Sequence, residues 1–344
     1  MSPEPTRGET ERHDIQQDGD EVLARQAAES MAADIGFDEA AVGEIGIVAT
    51  ELASNIRKHA DSGELAVSQL TDGDRAGIRI ESFDVGPGIV NVDAAFADGT
   101  STAGSLGGGL GAVNRLMHQL TVAAPGEPDF GTKIVADRWI RADHEPQPSC
   151  PLSFGAASRP AANETVNGDS FVIKRWDDHV LVGVIDGLGH GDEAHKASNA
   201  ATEYIETHYD NAVASIFAGT ERACRGTRGV VMALARFDWT DNTVTVGTVG
   251  NINHKTNDES DLTVIPRRGV VGNNGPNPKI TQSEWHPTDR LVLFSDGIDS
   301  HWEFSTVWAN NDESATVTAR RLLDQYSKPH DDATVLVVSN SDDV

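Results

Sequence analysis

The chain has 344 residues, of which 54 are acidic and 27 basic, so its net charge is −27, and 38% of its residues are apolar. This length allows two domains, and the apolar content with clear helix and strand periodicity excludes a disordered acidic protein. The charge argues against nucleic acid as a partner, because nucleic-acid binding needs a cationic surface. With only seven lysines, the acidic shell is typical of a protein in high salt, so we expect a halophilic source.

The cysteines and the hydropathy of the chain indicate the cellular compartment. Cys150 and Cys224 are far apart and have no metal-ligand spacing, which predicts unpaired thiols in a reducing environment. The sequence has neither a signal peptide nor an apolar run of about 18 residues. We therefore expect a cytoplasmic protein with no membrane partner.

The chain divides into four segments. Residues 1–18 are polar without a hydrophobic period and are predicted to be a disordered acidic tail. Residues 19–141 form a first domain, and the proline-rich and acidic stretch 142–152 is predicted to be a linker. Residues 153–344 form a second domain, in which strands dominate. Its helical patterns lie near 192–210, 211–225 and 312–326.

The first domain contains a helix over residues 39–60, which places a glutamate, an amide and a base on one face. Glu51, Asn55 and Lys58 or His59 are three or four residues apart and so lie on the same side. Taken alone, this polar face is better explained as a solvated surface than as a functional site.

Two glycine motifs follow the helix. The strand GIRIES leads to FDVGPGI, in which Asp84 stands at the strand end, and residues 104–116, GSLGGGLGAVNRL, run from a glycine loop into a helix. Glycines allow backbone N–H groups to approach an anion, and a helix N-terminus adds a favourable dipole. A further strand, FGTKIVADRWI, carries Thr132 and Lys133.

The ordered set ExxxN, DxGxG, GxxGGGLG and FGTK over residues 21–141 resembles the GHKL ATP-binding fold of gyrase, Hsp90, histidine kinases and MutL. It is most similar to the anti-sigma-factor serine kinases of the RsbT and RsbW types. The resemblance implies that Asn55 would hold a Mg²⁺ that bridges the phosphates of ATP. Glu51 would be the general base toward a Ser or Thr hydroxyl of a partner protein.

The same resemblance implies how the nucleotide would be bound. Asp84 would accept a hydrogen bond from the adenine amino group, Gly86 and Gly88 would let the base lie close, and Thr132 would support the adenine side. The phosphates would be covered by Gly107, Gly108, Gly109 and Gly111. One departure from the usual DNGxG motif is Val85 in the second position.

The second domain has carboxylates at the ends of apolar strands. LVGVIDGLGHG ends on Asp186 and RLVLFSDGIDS on Asp296, Asp169 precedes the strand SFVIK, and HDDATVLVV places Asp331 and Asp332 before the last strand. Acids gathered at the ends of a buried sheet repel one another, and hard divalent cations are the usual compensation. Two such ions about 3.5–4 Å apart activate water and clamp a phosphate. The glycines after Asp186 and Asp296 are expected to clear space, and the Gly187 carbonyl is a candidate ligand.

The ordered set GDS, DGLGHG, TRG, GNI, SDGI and DDATVLV over residues 153–340 resembles the metal-dependent protein phosphatases (PPM) of the bacterial SpoIIE and RsbX types. The resemblance implies Mn²⁺ or Mg²⁺ as cofactor, with Asp186 bridging the two metals. The two shells would be completed by Asp169, the Gly187 carbonyl, Asp296 and Asp331. His190 is either a phosphate-side or a structural group, Arg228 steers a phosphoresidue or lies on the surface, and Arg159 is a positional candidate for a phosphate-binding arginine.

The expected fold class is α+β, with an N-terminal GHKL α/β sandwich and a C-terminal PPM-type β-sandwich flanked by helices. The first hypothesis is a bifunctional regulator that phosphorylates and dephosphorylates Ser or Thr on a partner protein, which the resemblance suggests is an STAS-domain protein. Two alternatives stay open: a phosphatase whose idle N-terminal domain senses nucleotide or binds a partner, and a binding scaffold without activity. The resemblance to serine kinases also admits a homodimer.

Overall fold

The structure is a computed structural model. It describes residues 5–17, 19–60, 62–72, 75–84, 113, 116–123, 132–140, 150–162, 164–257, 260–308 and 314–340. The strands are β1 Thr6–Ile15, β2 Gly63–Asp72, β3 Arg75–Asp84, β4 Gln119–Ala123, β5 Thr132–Trp139, β6 Leu152–Arg159, β7 Asp169–Trp176, β8 His179–Gly187, β9 Val230–Asp238, β10 Thr243–Val249, β11 Asn253–Thr256, β12 Thr281–Glu284, β13 Leu291–Phe294 and β14 Ala333–Asn340. The helices are α1 Asp20–Ile35, α2 Glu39–His59, α3 Asp192–Thr207, α4 Val213–Ala223, α5 Phe304–Val307 and α6 Ala315–Tyr326.

The strands form two sheets. The larger has ten strands in the order β1-β2-β3-β5-β4-β7-β8-β9-β10-β12, and the smaller has four in the order β11-β13-β14-β6. Helices α1 and α2 pack on β1, β2 and β3. The four-stranded sheet covers the β7–β10 part of the large sheet, and apolar side chains such as Phe154, Phe171 and Leu336 fill the space between them. The mixed α+β class expected from the sequence is confirmed.

Helices close the outer faces of the C-terminal sandwich. Helix α3 packs on β7 and β8 with apolar side chains such as Ile205, and α4 packs on β9 and β10 with side chains such as Phe217. Helix α6 packs on β6 and β14 through Leu322 and Leu323. The three helical patterns predicted for this half therefore correspond to α3, α4 and α6.

Helix α2 forms where its pattern predicts. Asp38 caps it by accepting a hydrogen bond from the Ala41 N–H at 2.8 Å, which satisfies one of the unpaired amides of the first turn. Ile45, Val48 and Leu52 are fully buried against the sheet. The helix holds Glu51 and Asn55 at the border of this buried stripe, where both are half-buried.

The first strand corrects the prediction of a disordered tail over residues 1–18. Thr6–Ile15 forms β1, which pairs antiparallel with β2. Its side chains are charged and mostly exposed, so no hydrophobic period marks it, and backbone pairing holds it in place. Paired charges add to this, since Arg7 contacts the buried Glu81 at 2.7 Å and Arg12 contacts Glu64.

Two further expectations concern cysteines and membranes. Cys150 and Cys224 are both free, as predicted, and both are buried. Within the described ranges, none of the helices has both the length and the apolar character that crossing a bilayer requires. Most of the predicted linker lies outside the described residues, and the chain enters β6 directly after Cys150 and Pro151.

We expect Gly155→Ala to destabilise the protein by about 1–3 kcal/mol, because an added methyl on β6 would overlap the backbone where α6 begins. A Cβ at Gly155 would lie 2.1 Å from the Ala315 carbonyl oxygen. Gly43→Ala in α2 is the matched control: a Cβ there meets nothing within 4 Å, so the helix should gain up to about 1 kcal/mol. Urea unfolding of both variants measures the difference, and equal effects would contradict this packing.

Candidate functional site

A cleft of about 800 Å³ opens where the two sheets of the C-terminal sandwich end. Its walls carry three aspartates, Asp186, Asp296 and Asp331, together with neutral and basic groups. The other polar lining residues are His190, Asn251, Asn253, His254 and Arg268. In a chain of net charge −27, three acids in one cleft beside an arginine define a site that can hold cations and the phosphate they bind.

The strands bring the acids together because both sheets end at the cleft. Asp169 begins β7 and lies directly opposite Asp186 near the end of β8. In the second sheet, Asp296 follows β13 and Asp331 precedes β14, and these two strands pair antiparallel. The acids at 169, 186, 296 and 331 therefore come from neighbouring strand ends of two packed sheets. The sequence predicts these positions at the ends of strands.

Burial and mutual repulsion alter the acidity of these groups. Burial, followed by the charges of Asp169, Asp296, Asp331 and Asp332, raises the pKa of Asp186 to about 9. Burial also raises the pKa of Asp169 to about 8, although hydroxyl groups of Ser295 and Thr334 oppose this. The pKa of Asp296 is raised as well, by burial and then by Asp331. Such a set of acids favours a positive charge in its midst.

Asp331 and Asp332 occupy different places. Asp331 lines the cleft, whereas Asp332 is 3% exposed and accepts a hydrogen bond from the Ala161 N–H at 3.0 Å. The second carboxylate oxygen of Asp332 and one oxygen of Asp169 are buried without a hydrogen-bond partner. Asp331 stays the predicted ligand of the pair, and Asp332, the other acid of the pair, is a buried group behind the cleft.

The glycines after the strand-end acids leave room for backbone. A Cβ at Gly187 would lie 2.0 Å from the Ala194 carbonyl oxygen at the start of α3. A Cβ at Gly297 would lie 1.9 Å from the Asp332 carbonyl oxygen. The space expected around these glycines is therefore filled by neighbouring main chain, which brings the acid-bearing segments together.

A polar network behind the acids was not predicted. Asn251 donates to Asp296 Oδ2 at 2.6 Å and lines the cleft itself. Deeper in, the Asp169 N–H donates to Asn167 Oδ1 at 3.0 Å, and Asn167 donates to Ser158 Oγ at 2.6 Å. The only sequence signal for these residues is their position next to the motifs: Asn167 in NGDS and Asn251 in GNI.

The basic candidates divide between cleft and scaffold. Arg159 donates to Ser327 Oγ and to the carbonyls of Pro160 and Lys328 at 2.8–3.1 Å, so it fastens the end of β6 rather than lining the cleft. His190 lines the cleft and contacts Glu164 at 2.5 Å. Arg228 is exposed beside Gly189, with its guanidinium 3.5 Å from the Leu188 carbonyl oxygen.

The donor set suits hard divalent cations. Among the described residues, no three His, Cys, Asp or Glu side chains close into a compact ligand cluster, so the acids converge on the cleft without forming a finished shell. The unpaired buried oxygens of Asp169 and Asp332, together with the raised pKa values, fit a cation at this place. The two-metal ligand set of Asp169, Asp186, Gly187, Asp296 and Asp331 stays a prediction.

The N-terminal candidates gather at one end of the sheet. Asp84 ends β3 and lies directly opposite Thr132 on β5, where Thr132 is buried. A Cβ at Gly63 would touch both the Ile56 side chain and the Asp84 backbone, so the C-terminal half of α2 lies over this end. Asn55 adjoins Ile56, and Glu51 is one turn earlier. The predicted glycines at 86, 88, 107, 108, 109 and 111 lie outside the described residues.

Comparisons with known proteins find two kinds of relative for this chain. Residues 18–136 match the histidine kinase-like ATPase domain. Over 128 residues the chain is 37% identical to the serine/threonine-protein kinase RsbT of Bacillus subtilis (strain 168), covering 37% of this chain and 94% of RsbT. Over 139 residues it is 24% identical to the phosphoserine phosphatase RsbX of the same organism, covering 40% of this chain and 69% of RsbX.

Solved structures match on the fold. A structure from work on the bacterial stressosome, described there as a modular system adapted to control secondary messenger signaling, is 30% identical with a TM-score of 0.52. It is matched over 54% of this chain and 98% of its own. The crystal structure of RsbX in complex with magnesium is 19% identical with a TM-score of 0.50, over 55% of this chain and 96% of its own.

These findings define a two-part chain, with a histidine kinase-like ATPase domain followed by a region related to RsbX in sequence and fold. Through its N-terminal part the chain belongs to the RsbT family of serine/threonine-protein kinases.

We expect Asp186→Asn to stabilise the protein by at least about 1–2 kcal/mol at pH 8 in the presence of a chelator. Because the folded pKa of Asp186 is raised to about 9, the protonated form is favoured in the fold. The free energy of unfolding of the wild type should then fall as pH rises from about 4 towards 9. Urea titrations at several pH values measure this slope. The exposed Asp261→Asn is the control and should leave the slope unchanged.

Proposed function

We propose that the protein is a bifunctional regulator that phosphorylates Ser or Thr on a partner protein with its N-terminal domain and removes that phosphate with its C-terminal domain. The observation that carries this proposal is the acid-lined cleft in a chain whose other half belongs to a kinase family. The proposed kinase reaction needs ATP and Mg²⁺, and the proposed phosphatase reaction needs Mn²⁺ or Mg²⁺.

In the kinase half, phosphoryl transfer needs positioning, charge neutralisation and a group that takes a proton. Asp84 and Thr132 would hold the adenine at the end of β3 and β5, where they face each other. Asn55 would hold Mg²⁺, and Glu51, one helical turn away, would accept the proton of the partner hydroxyl. The half-buried position of both side chains on α2 suits these roles.

In the phosphatase half, Asp186 would hold the cations together with Asp169, Asp296 and Asp331, because it lies opposite Asp169 and shares the cleft with the other two. The cations, when bound, supply positive charge for the phosphate and lower the pKa of bound water. Asn251 holds Asp296 in place by donating to it at 2.6 Å. His190 and Arg268, which line the cleft, would contact the phosphorylated segment of the partner.

The partner that we propose is an STAS-domain protein. The similarity to RsbT and RsbX, and to a structure from work on the stressosome, supports a regulator that switches a partner between bound and free forms. A phosphate adds about two negative charges to a contact surface, which weakens the contact by like-charge repulsion and desolvation. The proposed setting is a cytoplasm of high ionic strength, supported by the net charge of −27, and a homodimer stays a prediction.

We expect the Asp186→Asn chain to transfer label from [γ-³²P]ATP to the STAS-domain protein encoded nearest to its gene, and the wild type to remove that label. Glu51→Ala should lower the rate of labelling at least about 100-fold, because the general base is lost. Phosphate release from the labelled partner should fall to background in Asp186→Asn. The assays are run in molar KCl and read by gel autoradiography.

Matched variants separate chemistry from folding. Glu39→Ala on the first turn of α2 and Asp261→Asn on an exposed loop should leave both rates unchanged. Labelled partner that the wild type cannot dephosphorylate would remove the phosphatase assignment. ATP binding without any labelling would instead favour the phosphatase with an idle, nucleotide-sensing N-terminal domain.

A further inference from the structure

The two candidate sites can be related through the pairing register of the ten-stranded sheet. In an antiparallel sheet, residues directly opposite each other share a face, and every second residue along a strand returns to that face. Asp84 on β3 lies opposite Thr132 on β5. Two residues along β5, Ile134 lies opposite Val122 on β4. Asp84, Thr132 and Val122 therefore share one face.

The same face continues across the junction between the two domains. Val122 lies opposite Ile173 on β7, and Asp169 is four residues from Ile173, so it points to the same side. Asp169 in turn lies opposite Asp186 on β8. Ile134, Val122 and Ile173 are buried in one hydrophobic cluster, which agrees with this assignment. The nucleotide-side and phosphatase-side residues thus project from one face of one sheet.

The nucleotide-side and phosphatase-side residues also lie at the same end of the sheet. Asp84 and Asp186 stand at or next to the C-terminal ends of β3 and β8, and Thr132 and Asp169 begin the antiparallel strands β5 and β7. We call this end, marked by these four residues, the functional edge. Three strand spacings separate β3 from β7 and four separate it from β8, or about 14 and 19 Å at 4.8 Å per spacing.

Helix α2 brings the remaining kinase residues to the functional edge. Glu44, near its start, contacts Arg138 at 2.6 Å, and Arg138 lies at the opposite end of β5 from Thr132. The helix then runs towards Gly63 and Asp84, where Ile56 packs. The segment with Glu51 and Asn55 consequently lies over the half of the sheet nearer the functional edge.

The junction itself is a paired and hydrogen-bonded interface. Five residues of β4 pair with five of β7, which joins the sheets of the two domains. The buried Lys174 donates to Thr121 Oγ1 at 2.6 Å, and the buried Arg175 donates to the Met117 carbonyl at 2.6 Å. An ion pair at 2.9 Å between Lys133 on β5 and Glu206 on α3 adds a further link. These contacts fix the distance between the two sites.

We propose that a single partner protein docks along the functional edge and is phosphorylated and dephosphorylated within one encounter. This inference rests on the proposed function. A folded partner of about 100 residues has a radius of gyration near 13 Å, so it is wider than the separation of the sites and covers both. A phosphorylated residue held within about 20 Å of the second site meets it at a millimolar effective concentration.

The chemistry of the cycle balances with ATP and water as reactants. In the first step a bond forms between the partner's Ser or Thr oxygen and the γ-phosphorus, the bond to the β-phosphate oxygen breaks, and Glu51 takes the hydroxyl proton. In the second step a water oxygen bonds to phosphorus and the bond to the Ser or Thr oxygen breaks. One proton of that water returns to the side-chain oxygen, and inorganic phosphate leaves.

The test compares both sites on one chain with the same sites on separate chains. Wild-type chain is pre-equilibrated with the neighbouring STAS-domain protein, then given [γ-³²P]ATP together with a large excess of unlabelled phosphorylated STAS protein. An equimolar mixture of Glu51→Ala and Asp186→Asn chains is treated identically. We expect at least about tenfold more labelled inorganic phosphate from the wild type in the first turnover, because its partner need not dissociate.

The possible results distinguish the shared docking surface from the two activities. Equal release from wild type and mixture under the chase would overturn the shared docking surface while leaving both activities intact. No labelling of the STAS protein by the Asp186→Asn chain would remove the proposed function and this inference with it. Label released by Asp186→Asn alone measures background ATP hydrolysis and is subtracted from both arms.

Discussion

The antiparallel pairing of β4 with β7 is the contact on which the arrangement of this protein depends. Each strand would otherwise leave a row of unpaired N–H and C=O groups at the edge of its own domain. Their pairing satisfies those groups and joins two sheets into one of ten strands. The buried charges beside it show how closely the domains meet, since burial lowers the pKa of Lys174 to about 8.

The acids that would let the cleft bind cations also lower the stability of the fold. Burial, and then the charges of four neighbouring aspartates, raise the pKa of Asp186 far above that of an ordinary carboxyl group, so the ionised cleft weakens the fold. The surrounding structure is dense: hydroxyls of Ser295 and Thr334 contact Asp169, and backbone packs tightly against Gly187 and Gly297. A protein without use for positive charge at this place gains nothing from such a cluster, so the cluster agrees with the proposed cation-dependent site.

Much of this could be predicted from the sequence, for identifiable reasons. Apolar strands that end on Asp186 and Asp296, and a helix with the period of α2, have strong local signals, and the structure places them as predicted. Strand β1 has no such signal, because its side chains are charged and exposed and only backbone pairing forms it. The role of Arg159 could not be predicted either, because its partners at 327 and 328 are distant in sequence.

The pairing across the junction was the least predictable feature and has the largest consequence. No pattern in QLTVA or DSFVIKRW indicates that these strands pair, because pairing partners are chosen by tertiary contacts. A flexible linker would let the domains move apart, and the two activities would then meet a partner independently. With β4 and β7 paired and with Lys133, Lys174 and Arg175 bonded across the junction, the sites keep a fixed separation. If the two proposed activities oppose each other on one partner, control of their balance then has to act through the nucleotide, the cations and the partner's own surface, rather than through rearrangement of the two domains.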